Sequence, residues 1–367
     1  MGPIEDLREI LRQFRLEEAY PEILEPTELP GGYINSTYKI EARGAVSRRY
    51  ILQKINTFVF RRPVELMENV VSVTGYIRGR IAAGEGIPGQ RTLTVYPALD
   101  GAWMHIDAQG GCWRCYNCVD DAYSPESAAS EGEAYGAGKA FGAFLRMLDG
   151  YPIEGLHETI PDFHNTPRRY ENLEAAAAKD EKGRCKNVEA ELAFACARRD
   201  DCAKLLNLVC GGEIPVRVTH NDTKINNVLF DQASREPVCV VDLDTIMPGL
   251  SHYDYGDSLR SLGMAAAEDE RDLSLVDFSM PLFRAYTRGF LESAAAALTP
   301  AELRWLPFGV KLMTFECGMR FLTDYLSGDV YFRVRKPDDN LARCRTQFRL
   351  VEKIEQRLPE MEDFVRG

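Results

Sequence analysis

The chain has 367 residues, of which 45% are apolar and 27% charged, and its formal net charge is −12. These proportions belong to folded globular proteins, not to disordered or fibrous ones, and the length suggests two lobes in place of one core. The acidic balance and the lack of a basic stripe argue against a nucleic-acid partner; apolar runs such as Ala140 to Leu148 are broken by charge well short of the roughly 20 residues a membrane span needs.

The opening residues, MGPIEDLREILRQF, read as an amphipathic helix bearing both signs of charge and not as a cleaved leader, so a cytoplasmic protein is expected. From about Leu29 to Tyr123 strands dominate: YINSTYKIEA, then RRYILQKIN with Tyr50, Leu52 and Ile55 as apolar positions, then RTLTVYPAL, AWMHIDA and CWRCYNCVDDAY. One helix interrupts them, PVELMENVVSVTGYIRGRIAA, whose Val64, Met67, Val70, Val71, Val73 and Ile77 recur at the spacing of one buried face. After Ser124-Pro125-Glu126 the text turns helical, through EGEAYGAGKAFGAFLRMLDG, an alanine-rich stretch around Glu171 to Leu208, and several segments beyond Leu259. The expectation is an α+β chain with a small strand-rich N-terminal lobe, residues 1–121, and a large helical C-terminal lobe, residues 122–367. No heptad or long apolar face is evident, which reads as a monomer.

Ten cysteines include Cys112, Cys115 and Cys118 at metal-site spacing. Their surroundings are aromatic and β-branched, however, and on a strand residues three apart face opposite ways and cannot share an ion. They read as reduced thiols filling small spaces. His105, His157, His164 and His252 show no ligand spacing either, so zinc is not implied.

The densest polar run between apolar residues is VTHNDTKINNVLFD, Val218 to Asp231, followed after the turn DQASRE by the strand-like EPVCVVDLDT. Its polar groups therefore fall on a loop between short strands, where reactive groups are commonly mounted. Asp222, with Asn227 five residues on and Asp242 at the end of the next strand, suits phosphoryl transfer. The carboxylate of Asp222 accepts or orients the proton of an attacking hydroxyl, and the oxygens of Asn227 and Asp242 suit Mg²⁺ bound to nucleotide phosphates. A polar turn capped by Asx hydrogen bonds is the bland alternative.

The segment HNDTKINNVLFD…VCVVDLDTIMPG resembles the aminoglycoside phosphotransferase and choline kinase superfamily, whose H-x-D-x-x-x-x-N motif precedes a metal-binding Asp. Within it the chain looks like the N-acetylhexosamine 1-kinases, through GGYINSTYKI, YILQKINTFVFRRPVELMENV, WRCYNCVDDAYS, YDYGDSLR and RFLTDYLSGDVYFRV, spanning Gly31 to Val334. The resemblance implies a protein-kinase-like two-lobed fold, ATP as co-substrate, Mg²⁺ on Asn227 and Asp242, and Asp222 as base. It implies an amino sugar as the small-molecule acceptor, contacted by Asp222, Arg320 and Tyr331. Family members usually carry Gly where this chain has Asn221; Asn tolerates positive φ, so a left-handed turn is expected there.

The resemblance further sets Lys54 on a strand ahead of a helix bearing Glu68, as in kinases where such a lysine touches the phosphates. Gly31 and Gly32 followed by Asn35, Ser36 and Thr37 form the hairpin over the phosphates, and adenine is expected against Val119 to Tyr123. Asp244 either holds the sugar or orients Asn227. His220 is expected to brace the loop, and Asp257 to cap a helix starting near Ser258. Two other readings stay open: a kinase of this fold acting on choline, homoserine, an aminoglycoside or a plain hexose, and a non-catalytic kinase-fold scaffold.

Overall fold

A computed structural model describes residues 3–18, 20–29, 34–127 and 130–367, with side chains from Leu7 onward. The chain forms two compact units. The first comprises residues up to Tyr123 together with Gly150–Pro161 and Leu229–Met247; the second comprises Ser124–Asp149, Asp162–Val228 and Pro248–Gly367.

The first unit is built on an antiparallel sheet, seven-stranded among the described residues. Its central order is Glu22–Ile23, Ser36–Arg43, Arg48–Ile55, Cys112–Asn117 and Val95–Tyr96. Period-two alternation decides what each face buries. Ile40, Tyr50, Leu52, Trp113 and Cys115 join Leu7, Leu11 and Phe14 from the N-terminal segment in one apolar core. The opposite face carries Gln53, Arg114 and Tyr116, joined by hydrogen bonds to Gln53 Oε1. The helix Pro63–Ala82 begins with proline, whose fixed φ suits a first turn, and buries Leu66, Met67, Val70, Val73 and Ile77. Cys112 and Cys115 lie buried on the Cys112–Asn117 strand, as the sequence predicts.

Later chain completes this unit. The strand Val228–Asp231 pairs antiparallel with Ala122–Tyr123, and the buried Asn69 donates to the carbonyls of His157 (2.8 Å) and Ile246 (3.0 Å) while accepting the His157 N–H (2.9 Å).

The second unit is helical. Glu131–Met147 starts at Ser130, whose side chain accepts the Glu133 N–H. This helix lies so close to Met280–Ala294 that a Cβ on Gly138 or Gly289 would stand 2.0 Å from a backbone carbonyl of the facing helix. Pro300–Ser327 opens with a capping box between Thr299 and Glu302. With Asp339–Arg366 it buries Phe315, Met319, Leu322, Phe348 and Val351. One expectation needs correcting: the helix bearing YDYGDSLR runs Ser251–Leu262, so Asp257 sits inside it and is no cap. Among the described residues no helix is long and apolar enough to cross a membrane.

Candidate active site

The strand Arg217–Thr219 delivers a turn in which nearly every polar backbone group is held. Asn221 adopts φ 65°, the left-handed conformation expected there. Asp254, from the helix Ser251–Leu262, accepts the N–H groups of His220 (2.9 Å) and Asn221 (2.8 Å). The Asn221 side chain accepts from the Thr219 hydroxyl at 3.0 Å. His220 is fully buried against the edges of Phe141 and Phe144, and its Nδ1 accepts the Asp222 N–H at 3.3 Å, which is the bracing role expected of it. Burial pushes the Asp254 carboxyl above its ordinary pKa, opposed by His220 and by the two N–H groups it accepts.

Asp222 projects from this turn, and both its oxygens have partners. Lys224 Nζ stands 2.9 Å from Oδ1, and Asn227 Nδ2 lies 3.4 Å from Oδ2 while donating to the Asp222 carbonyl at 2.8 Å. Asp222 is the main cause that raises the Lys224 pKa. The amide donor of Asn227 being committed, its carbonyl oxygen remains for another partner, and that oxygen with a carboxylate is the hard donor chemistry Mg²⁺ prefers. Burial disfavours ionised Asp257, yet Arg260, 2.9 Å away, and Lys224 hold its pKa below the usual range. Lys224 was not singled out from the sequence; the only signal was a lysine two residues past the motif aspartate.

In the first unit Asp242 takes φ 59° and opens the short turn Leu243–Thr245. Asp244 is buried: Asn35 Nδ2 donates to its Oδ2 at 2.6 Å, and Arg114 pairs with its Oδ1. Burial works against the Arg114 charge, but Asp244, then Tyr116 and Asp242, outweigh it and raise the pKa. Asp242 thus belongs electrostatically to a cluster centred on Arg114, a residue missed because its neighbours in CWRCYNC drew attention to thiols.

The Asn35 side chain is committed at both ends, since its Oδ1 accepts the Asn56 N–H at 2.8 Å. Ser36 lies directly opposite Lys54 in the sheet register, and Thr37 accepts from Gln53 at 2.8 Å. Lys54 stands over the Trp113 ring, 3.9 Å from Asp107, whereas Glu68 meets His157 at 2.7 Å. Both residues occupy the expected strand and helix without forming the lysine–glutamate pair of kinases. Val119 lies just past the Cys112–Asn117 strand, and among the described residues its N–H and C=O meet no hydrogen-bond partner. Gly31 and Gly32 lie outside the described residues.

Arg320, on Pro300–Ser327, is half-buried with its guanidinium 5.6 Å from the rings of both Phe163 and Phe332. Tyr331 is 63% exposed. Its segment is pinned by Asp324, whose carboxylate accepts the N–H groups of Val330 (2.9 Å), Tyr331 (2.8 Å) and Phe332 (2.9 Å), and Asn340 Nδ2 (2.9 Å). Arg169 lies near Arg320 and Tyr331; burial, then the Arg320 charge, lowers its pKa.

A model of the phosphotransferase enzyme family, APH, matches residues 25–289, and the chain belongs to this family. Solved structures of the same fold include a microcompartment-associated aminopropanol kinase (16% identity, TM-score 0.63, 98% of each chain covered). An amicoumacin kinase in complex with AMP-PNP, Ca²⁺ and Ami is 14% identical (TM-score 0.58, covering 99% of this chain and 94% of that one). Choline kinase from Cryptosporidium parvum Iowa II is 13% identical (TM-score 0.53, covering 94% and 92%). The fold is therefore α+β and kinase-like, with a strand-rich N-terminal part and a helical C-terminal part, and the protein is a small-molecule kinase of this family.

Proposed function

We propose that the protein transfers the γ-phosphoryl of ATP to the anomeric C1 hydroxyl of an N-acetylhexosamine, giving the sugar 1-phosphate. The observation that carries the choice of acceptor is the Arg320 guanidinium, 5.6 Å from the rings of Phe163 and Phe332, with the exposed Tyr331 ring against Phe332. Arginine donors and flat rings suit the hydroxyls and faces of a neutral sugar. The sequence resemblance points the same way.

In this reading Asp222 is the base. Its Oδ1 is held by Lys224 at 2.9 Å, while Oδ2 has only the longer 3.4 Å contact with Asn227 and is the oxygen free to take the acceptor proton. The sugar C1 oxygen forms a bond to the γ-phosphorus, the bond from that phosphorus to the β–γ bridging oxygen breaks, ADP leaves with the electron pair, and the hydroxyl proton passes to Asp222. Asn227 and Asp242 would hold Mg²⁺, which when bound neutralises charge on the phosphates. Ser36, Thr37 and Lys54 serve the phosphates and Val119 the adenine edge; Asn35 and Asp244 act indirectly, Asp244 linking Asn35 to Arg114. Positioning and charge neutralisation are what such transfers mainly require.

The test is a phosphate-transfer screen with Mg·ATP against N-acetylglucosamine, N-acetylgalactosamine, glucose, galactose, choline, homoserine and an aminoglycoside, with the phosphorylated position read by ³¹P NMR. An N-acetylhexosamine 1-phosphate is the expected product, abolished by a chelator and by Asp222→Asn. Phosphorylation of choline or an aminoglycoside in its place would overturn the acceptor, and turnover in Asp222→Asn at the wild-type rate would remove Asp222 from the mechanism.

A further inference from the structure

His164 lies in the loop before the helix Thr166–Lys179 and plays no part in the chemistry above. It is nearly buried, between the rings of Phe163 (4.6 Å) and Tyr253 (5.3 Å). Its Nδ1 stands 2.8 Å from Glu316 Oε1, and its Nε2 stands 3.1 Å from the carbonyl oxygen of Asn221. Glu316 is itself buried, and its other oxygen accepts the Thr166 hydroxyl at 2.6 Å.

A peptide carbonyl can only accept, so Nε2 must carry a proton. An ionised carboxylate likewise only accepts, so Nδ1 must carry one too. A neutral imidazole has a single N–H and would leave one of these contacts as an acceptor facing an acceptor, away from water, where a lost partner is most costly. The surroundings favour the ionised form of Glu316. Burial alone would raise Glu316, yet His164 first, then Thr166 and Arg320, hold its carboxyl below the usual range. From the helix Ser251–Leu262, the carboxyls of Asp254 and Asp257 are lowered by His164; from Pro300–Ser327, Arg320 lowers Glu316 in the same sense as His164 does; and from Thr166–Lys179, Arg169 faces Glu316.

The carbonyl held by Nε2 belongs to the peptide that joins left-handed Asn221 to Asp222. Asp254 fixes the N–H side of Asn221 at 2.8 Å, and His164 fixes its carbonyl side. Rotation of this peptide would swing Asp222 away from Asn227.

We propose that His164 is carried as an imidazolium paired with Glu316, and that this charged pair is a positioning element for Asp222, holding the Asn221–Asp222 peptide in its left-handed turn. The role as positioning element rests on the kinase reading of Asp222; the protonation state does not. His164 and Glu316 touch no reacting atom.

The test begins on the unaltered full-length protein labelled with ¹⁵N-histidine, whose five histidines make assignment tractable by comparison with His164→Gln. Two protonated-type ring nitrogens for His164 at neutral pH are expected; one unprotonated, pyridine-type nitrogen would overturn the proposal. Glu316→Gln then removes the counter-charge while keeping the shape. It should lose the second ring proton and lower kcat at least tenfold with the KM for ATP nearly unchanged, and its kcat should fall at a lower alkaline pH than that of the wild type. An unchanged kcat with an unchanged pH profile would overturn the positioning role. Asp222→Asn separates the two ideas, since full turnover there defeats the kinase reading of Asp222 and leaves the ring-nitrogen result standing.

Discussion

Arg114 and Asp244 meet as an ion pair from which water is almost wholly excluded, their side chains being 2% and 3% exposed, although they are 130 positions apart in the sequence. Removing one partner of such a pair leaves an uncompensated buried charge, at a cost of about 3–5 kcal/mol, whereas removing both costs far less. Arg114→Met should therefore lower the urea midpoint of the protein sharply, and Arg114→Met combined with Asp244→Leu should recover part of the loss. Additive losses in the double variant would show that the two side chains do not act together.

Asn221 stands at φ 65°, where glycine is at ease and a side chain with a Cβ costs about 1–2 kcal/mol unless local hydrogen bonds offset it. Asn221→Gly should keep most of the turnover despite losing the contact with Thr219. Asn221→Val should lose both stability and kcat, because a β-branched residue is strained in this conformation. Equal kinetics for the two variants would mean that the backbone at this turn is not what matters.

His252 is buried, its Nε2 facing the Glu302 carbonyl at 3.1 Å, and burial pushes its pKa down to about 4. A group whose folded pKa is depressed adds stability above its unfolded pKa of about 6.5 and loses it as pH falls toward the folded value. Stability should thus decline between about pH 6.5 and pH 4, with His252 contributing up to about 3 kcal/mol of the fall. His252→Gln should flatten that part of a pH series of urea melts; a profile superimposable on the wild type would exclude this histidine as the cause.

Asp324 accepts three successive backbone N–H groups leading through Tyr331, and hydrogen bonds to a charged acceptor are worth about 1.5–3 kcal/mol each. Asp324→Asn replaces one accepting oxygen by a donor and should loosen this segment. The expected signature is a rise of roughly tenfold or more in the acceptor KM, each tenfold being about 1.4 kcal/mol, with the ATP KM nearly constant. A selective rise in the ATP KM would instead detach this segment from acceptor binding.

Much of the fold was legible because burial imposes simple periods. Tyr50, Leu52 and Ile55 mark a strand and Met67, Val70, Val73 and Ile77 a helix face, and both elements form, although Val64, read with that face, is exposed and Val71 only partly buried. The loop from His220 to Asn227 was legible because it sets many polar groups between apolar strands. Partners across the sequence were not. Lys54 goes to Asp107 and Glu68 to His157, choices made by the sheet and by the later segment Gly150–Pro161, not by local spacing. Arg114 alternates on its strand like any apolar residue and reveals its role only once Asp244 is placed. Asp257 misled because an Asp before Ser looks like a helix cap, while the helix Ser251–Leu262 buries nearly all its residues and offers no amphipathic boundary.

The return of Gly150–Pro161 and Leu229–Met247 to the first unit has a consequence for biosynthesis. A chain emerging from the ribosome amino end first presents Arg114 and Asn69 long before the carboxylate and carbonyls that satisfy them. The seven strands of the sheet are all made by Asn117, but the groups that satisfy Arg114 and Asn69 arrive only with Asp244 and Ile246, so this unit closes late and residues 1–123 alone are a poor autonomous folding unit.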